Sequence, residues 1–239
     1  ELLDWLAAQF VEGGWTLKRM HKLILLSRAY RMSSQFNEAA YAKDPANDLF
    51  WRVDMRRLTA EEVRDSILAV NGSINLQVGG ESVYPPMPQE VLETSSHPKD
   101  VWKSSPPDQY TRRSLYIHLK RSLRVPLLTD FDQADTDTSC PVRFVTTQPL
   151  QALNMMNSAF IDEEARTFAE RLTREAADLP GRVRLAFNLA TGHAPTDTEV
   201  ETGLKFIDVM EQKHGLNAQK ALDRFALLVL NLNEFVYLD

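Results

Sequence analysis

Between Ser139 and Asn157 the chain places Arg143, Thr146, Thr147, Gln148, Gln151, Asn154 and Asn157 in one stretch, where a generic surface helix would carry Lys and Glu. Carboxamides both donate and accept, so this set suits recognition of sugar hydroxyls or of another chain's backbone. The same groups also suit a purely internal task, satisfying buried backbone groups of the irregular segment 125–147. Pro149 fits the first turn of a helix, with Thr147 or Gln148 at its cap. Gln148, Gln151, Asn154 and Ser158 then recur near the helical turn and line one stripe, beside an apolar stripe of Leu150, Leu153 and Ile161.

Arg143 stands at the electropositive start of that helix, where a cation gains nothing from the dipole, so a carboxylate partner is expected. Asp130, Asp132, Asp135 and Asp137 are nearest in sequence. Their spacing invites a calcium reading, because hard cations take clustered oxygen ligands. The Gly and terminal Glu of an EF-hand loop are missing, however, and the expectation is an Arg–Asp bridge with the remaining acids solvated and no metal ligand assigned.

A second polar group comprises Trp51, Arg52, Arg56, Arg57, Glu61, Arg64 and Asp65. Arg57, Glu61 and Arg64 or Asp65 share one helical side, which predicts an ion-pair lattice against a neighbouring element; a basic ligand pocket is the sharper alternative. Arg112, Arg113, Lys120, Arg121 and Arg124 form either a solvated face or a contact for an anionic polymer. The five His show no i, i+4 pair and no HExxH. There is no GxSxG, P-loop or GxGxxG, so hydrolytic zinc, nucleophilic, phosphoryl and dinucleotide chemistries have no local support, and no catalytic motif is assigned. The single Cys140 excludes an internal disulfide, a CxxCH haem site and a Cys-rich zinc site within this chain; an inert, partly buried thiol is the expectation.

The elements that must position these groups are helical. With 239 residues, 44% hydrophobic and 25% charged, the chain has the composition of a soluble globular protein. Its net charge of −6, with the acidic excess in 126–239, argues against nucleic acid as a partner. No run is long and apolar enough to span a bilayer. The chain begins within an apparent helix, as a fragment of a longer protein would. Leu2, Leu3, Leu6 and Phe10 predict a helix ending at Gly13-Gly14, and Leu17 to Tyr30 predict a second. Thr59-Ala60-Glu61-Glu62 reads as a capping box with Leu58 and Val63 as its staple, opening a helix from about Ala60 to Asn71-Gly72. From Gly72 to Tyr110 the paired glycines and the prolines, Pro98 among them, break regular structure. Ile74, Leu76 and Val78 suggest a minor strand there, and Arg113 to Arg124 a short helix.

Beyond Pro149 the helical period is strong. Ile161, Ala165, Phe168 and Leu172 form one face, and Val183, Ala186, Phe187 and Ala190 a second ending near Gly192. Thr196-Asp197-Thr198-Glu199 caps a helix that stops at Gly215, and Leu222, Phe225, Ala226, Val229 and Leu232 mark the last. The expected fold is mainly α: one bundle-like helical domain over 1–239, with N-terminal helices in 1–71, a loop-rich Pro/Gly middle in 72–147 with at most a minor β element, and C-terminal helices in 148–239.

With these residues set out, the chain resembles the planctomycete-type C-terminal domain of unknown function 1553, the PSD domain. The resemblance rests on Asp4-Trp5-Leu6-Ala7, Gly14-Trp15-Thr16-Leu17-Lys18-Arg19-Met20-His21, Tyr30-Arg31, Ser33-Ser34, Asp44-Pro45, Leu49, Trp51-Arg52, Arg56-Arg57-Leu58, Ala60-Glu61 and Arg64-Asp65. It continues through Arg112-Arg113-Ser114-Leu115-Tyr116, Phe131-Asp132, Ser139-Cys140, Arg143, Thr147, Pro149-Leu150-Gln151-Ala152-Leu153, Asn157, Asn231 and Asn233-Glu234-Phe235. The resemblance implies an exported multidomain parent with a cytochrome-c-like domain, hence an extracytoplasmic setting and a haem c elsewhere in the parent, with no cofactor in this chain. It assigns no reaction and transfers no catalytic residue. The function expected is an interaction or scaffold module docking on upstream domains of its parent or on another exported protein. The alternative is a carbohydrate-binding or carbohydrate-active domain that takes a polysaccharide. Candidate binding residues are Trp51, Arg52, Arg57, Glu61, Asp132, Arg143, Thr147, Gln148, Gln151 and Asn154.

Overall fold

A computed structural model describes residues 1–97 and 101–238, so Pro98 lies outside the described residues. About 52% of the chain is helical, and the fold is mainly α as expected. Contacts divide it into two compact units, Glu1–Arg56 and Arg57–Leu238.

The first unit holds α1 (Leu2–Glu12), α2 (Leu17–Leu25) and α3 (Glu38–Tyr41). α1 stops where Gly14 and Trp15 both take positive φ, and the Trp15 amide donates back to the Phe10 carbonyl at 2.9 Å. α2 ends well short of Tyr30: Leu26 caps it, and the Tyr30 amide turns to the Ser27 hydroxyl at 3.1 Å. None of these helices contains a buried residue.

The second unit holds the core. It opens with α4 (Ala60–Val70) and passes through α5 (Gln89–Leu92) and α6 (Pro126–Asp130) to α7 (Pro149–Asn157), α8 (Ala159–Glu175), α9 (Leu179–Thr191), α10 (Asp197–Gln212), α11 (Ala218–Leu230) and α12 (Asn233–Val236). Strands β1 (Arg56–Arg57) and β2 (Tyr237–Leu238) form a two-stranded sheet, the minor β element. Helices α8 to α11 pack together through the predicted faces: Phe168, Leu172, Val183, Ala186, Ile207, Leu222 and Phe225 are all buried, with Phe187 edge-on to Phe225 at 6.0 Å. Gly203 lets α10 approach closely, since a Cβ there would sit 2.8 Å from Val183 Cγ1 and 3.0 Å from Phe225 Cε2. Both capping boxes form. The Thr59 amide donates to Glu62 Oε2 at 2.8 Å, with Leu58 and Val63 buried as the staple, and the Thr196 amide donates to Glu199 Oε2 at 2.6 Å.

The middle of the chain corrects two expectations. Ile74 to Val78 is no strand: only Asn75 makes an isolated bridge, with Arg112, and Leu76 and Val78 point to solvent. Arg113 to Arg124 is no α-helix either, because a 3-10 turn at Ser114–Tyr116 gives way to bridges at Ile117 and Lys120. Buried arginines override local propensity there. Arg64 on α4 donates to the carbonyls of Tyr110 and Arg112, and Arg112 to those of Gln77, Gly79 and Glu81, its guanidinium 4.0 Å above the Tyr116 ring. Each guanidinium thereby supplies the donors that strand or helix neighbours would otherwise provide.

Candidate functional site

The segment entering α7 is built on a short helix. Pro126 starts α6, and the helix closes in a Schellman motif: the Gln133 amide donates to Leu128 O at 2.9 Å and the Asp132 amide to Thr129 O at 3.1 Å. The motif needs a left-handed residue, and Asp132 supplies it at φ +62 where Gly is usual. That choice costs about 1 kcal/mol in backbone energy, and its return is a carboxylate fixed at the turn. Asp132 accepts from Arg57 Nη2 at 2.6 Å and from the amide and hydroxyl of Thr146, both at 2.8 Å. The Arg57 side chain is 2% exposed and that of Asp132 20%. Arg57 also donates to Leu58 O at 3.1 Å and lies 5.0 Å above the Phe131 ring.

From Thr146 the network runs into α7. Gln148 is the cap, and its amide donates to Gln151 Oε1 at 3.2 Å. Gln151 Nε2 donates to Asp130 O at 2.9 Å and to Thr146 O at 3.0 Å, while Asn154 Nδ2 donates to Asp130 Oδ2 at 2.6 Å. Arg57, Asp132, Thr146, Gln151, Asp130 and Asn154 thus form one clamp that ties the approach to α4, the end of α6 and the start of α7. Of the two tasks open to the carboxamides, Gln151 performs the internal one, satisfying carbonyls of the 125–147 segment. Thr147 lies exposed beside the cap.

Arg143 pairs with Glu61 rather than with any of the four nearby aspartates, as a fork with contacts of 2.6 and 3.0 Å. Glu61 holds the guanidinium above its ordinary range. The Arg–Asp bridge expected of Arg143 does not form: Asp132 is taken by Arg57, and the other acids are partnered rather than solvated. The predicted lattice along α4 is therefore corrected: Arg57 reaches Asp132, Glu61 takes Arg143, Arg64 turns into the buried carbonyls, and Asp65 accepts from the Ser114 amide at 2.7 Å and from Arg113 at 3.3 Å. Burial presses Arg64 below its ordinary pKa, with Asp65 and Glu164 opposing. Glu164 is pushed up by burial, against the hydrogen bond it accepts from Asn71. The basic run is likewise committed: Lys120 donates to Val101 O, and Arg121 and Arg124 pair with Asp137 and Asp135. Asp130 and Asp132 go to separate partners, Asp135 and Asp137 share Arg124, and among the described residues no group of three or more His, Cys, Asp or Glu converges as a metal site would require. Cys140 is exposed rather than partly buried.

Trp51 and Arg52 belong to the first unit. There Trp51 Nε1 donates to Asp44 O at 2.9 Å, Arg52 lies 5.0 Å above the indole, and Asp44 and Asn47 lock the loop by accepting from the amides of Asp48, Leu49 and Trp51. An open groove of about 470 Å³ in the second unit is lined by Glu61, with Leu58, Asp65, Ile74, Leu115 and Leu238 around it; no other candidate residue lines it.

What the clamp leaves outside is apolar. With Gln151 and Met155 turned in, Leu150, Leu153 and Met156 face out, and the lead-in exposes Val142, Phe144 and Val145, Phe144 by 82% and Leu153 by 52%. Of the apolar stripe, Leu150 and Leu153 are exposed and Ile161, on the next helix, is buried. The signal was present in the sequence as two parallel stripes on one helix, one amide and one apolar, and the carbonyls of 125–147 decide which is buried.

The family model PSD1, described as Protein of unknown function (DUF1553), matches residues 1–207. That range holds the whole clamp and ends inside α10, ahead of α11. No curated protein and no solved structure matches the chain. On the extent of that match, the chain belongs to the DUF1553 family.

Proposed function

We propose that the chain is a helical interaction module of a larger exported, redox-linked protein that carries a cytochrome-c-like domain, and that it docks there on upstream domains or on another exported protein. The observation that supports this reading is the inversion of α7, whose amide side is locked inward by Arg57, Asp132 and Asp130 while Leu150, Leu153 and Met156 are displayed to solvent. Single exposed apolar side chains are ordinary, but several on one rigid helix and its lead-in fit a protein partner's surface. Arg57 and Asp132 are committed to each other, Gln151 and Asn154 to Asp130 and Thr146, and Arg143 to Glu61.

The test is capture of the separately expressed upstream portion of the parent by this chain, with Leu153→Glu as control. Association in the micromolar range that Leu153→Glu abolishes is expected. No association at tens of micromolar overturns the reading.

A further inference from the structure

The first unit carries a surface that docking through α7 leaves unused. From Gly13 to Asn37 there is no carboxylate side chain, while Lys18, Arg19, Lys22, Arg28 and Arg31 all fall in that stretch. Each of the five is exposed, and none makes an ion pair among the described residues. The second unit treats its basic run differently, since Arg113, Arg121 and Arg124 each reach a carboxylate within 4 Å. An uncompensated cationic strip stores repulsion that an anionic partner relieves.

The strip is also amphipathic. On α2, Lys18, Arg19 and Lys22 share one side, and Leu17, Met20, Leu23 and Ile24 the other, at helical spacing. Leu17, Leu23 and Ile24 are exposed, as are Leu25 and Leu26 at the helix end. Aromatic residues flank the helix, Trp15 before it and Tyr30 after it, both exposed. Trp15 is held at φ +60, a strained position for a bulky side chain, with its ring edge-on to Phe10 at 5.3 Å.

We infer that this face, from Trp15 to Arg31, docks on the surface of an anionic lipid bilayer, α2 lying in the interfacial plane. Leu17, Met20, Leu23 and Ile24 would enter the headgroup and acyl boundary, Lys18, Arg19 and Lys22 would meet lipid phosphates, and Trp15 and Tyr30 would sit at headgroup depth. An acidic protein would match the charge equally well. What favours the bilayer is the combination on one short helix of a cationic side, an exposed apolar side and an aromatic residue at each end, the pattern of an interfacial helix. Among the described residues no helix is long and apolar enough to cross a membrane, and the contact inferred is a peripheral one.

The test is co-sedimentation of the full chain with vesicles of phosphatidylcholine alone or with about one third phosphatidylglycerol, at low and high salt. Binding only to the anionic vesicles, weakened by salt, is expected. Lys18→Gln with Lys22→Gln should weaken it about 25-fold, at roughly fivefold per cation. Ile24→Ser, which keeps every charge, should weaken it too, and Leu153→Glu should leave it unchanged. These positions are exposed, and circular dichroism checks that the variants keep their helices. Equal binding to both vesicle types, or none to the anionic ones at low salt, overturns the inference. Binding to polyglutamate as tight as to anionic vesicles and indifferent to Ile24→Ser overturns it in favour of an acidic protein. Failure here leaves docking through α7 untouched, because Leu153→Glu reports on that separately.

Discussion

Asp132 sits at the left-handed residue that ends α6 and from there receives Arg57, 75 positions away in sequence, at 2.6 Å. The turn and the ion pair make opposite demands on the residue: the turn prefers Gly, and the pair requires a carboxylate. Asp is the compromise that serves both.

That conflict is measurable. Asp132→Gly should destabilise the fold by about 3 kcal/mol in urea unfolding, because a desolvated guanidinium loses its partner while the backbone gains only about 1 kcal/mol. Arg57→Met added to Asp132→Gly should cost less than Asp132→Gly alone, since the stranded cation is removed with its partner. A double variant that is additive or worse would show that the pair is not what holds this turn.

Gln151 and Arg143 stand close in sequence and should respond unequally. Gln151→Ala empties a buried side-chain position and strips two part-buried carbonyls of their donor, and is expected to cost about 2 kcal/mol. Arg143→Ala breaks a fork that is more than a third exposed on the arginine side, and should cost less than about 1 kcal/mol. Thermal unfolding of the two variants side by side decides the matter.

Gly203→Ala is expected to destabilise by about 1–3 kcal/mol, although Ala is the better helix former, because the added methyl meets Val183 and Phe225 in the packed core. A stabilised variant would mean that α9 and α11 give way freely.

Glu164 gives a pH dependence with a defined sign. Burial raises its folded pKa above the ordinary 4.5, so the folded state holds the proton more tightly than the unfolded chain does. Stability from this group is therefore complete below its ordinary value and declines as pH rises through the raised one. Glu164→Gln, which keeps an acceptor for Asn71, should gain on the parent as pH increases. Unfolding midpoints of both proteins across that interval test it, and parallel curves would show that Glu164 is not desolvated.

The sequence announced much of the second unit because its cues are local. Helical spacing from Ile161 to Leu172 and the boxes at Thr59 and Thr196 depend on neighbours within one or two turns. The misread elements depend on distant partners. Nothing near Arg113 indicates that Arg64 will take up its surrounding carbonyls, and nothing in the α7 sequence says which stripe faces inward until the carbonyls of Asp130 and Thr146 are placed. Of the clamp, Arg57, Asp132, Gln151 and Asn154 stood among the candidate residues while Asp130 and Thr146 did not, and Trp51 and Arg52 hydrogen-bond or stack within the first unit; pairings such as Arg143 with Glu61 were not legible, because an exposed arginine has many carboxylates to choose from.

Arg64 and Arg112 grip the loop between Gln77 and Tyr116 through backbone carbonyls, which every amino acid possesses. The tether is thus blind to side-chain identity. Gln77, Glu81 and Tyr110, which offer the arginines only a carbonyl, can change without loosening it, while either arginine is irreplaceable by lysine, whose single ammonium cannot span several carbonyls at once. This leaves those few positions open to change beside a rigid frame, at no cost to the grip of the two guanidinium groups.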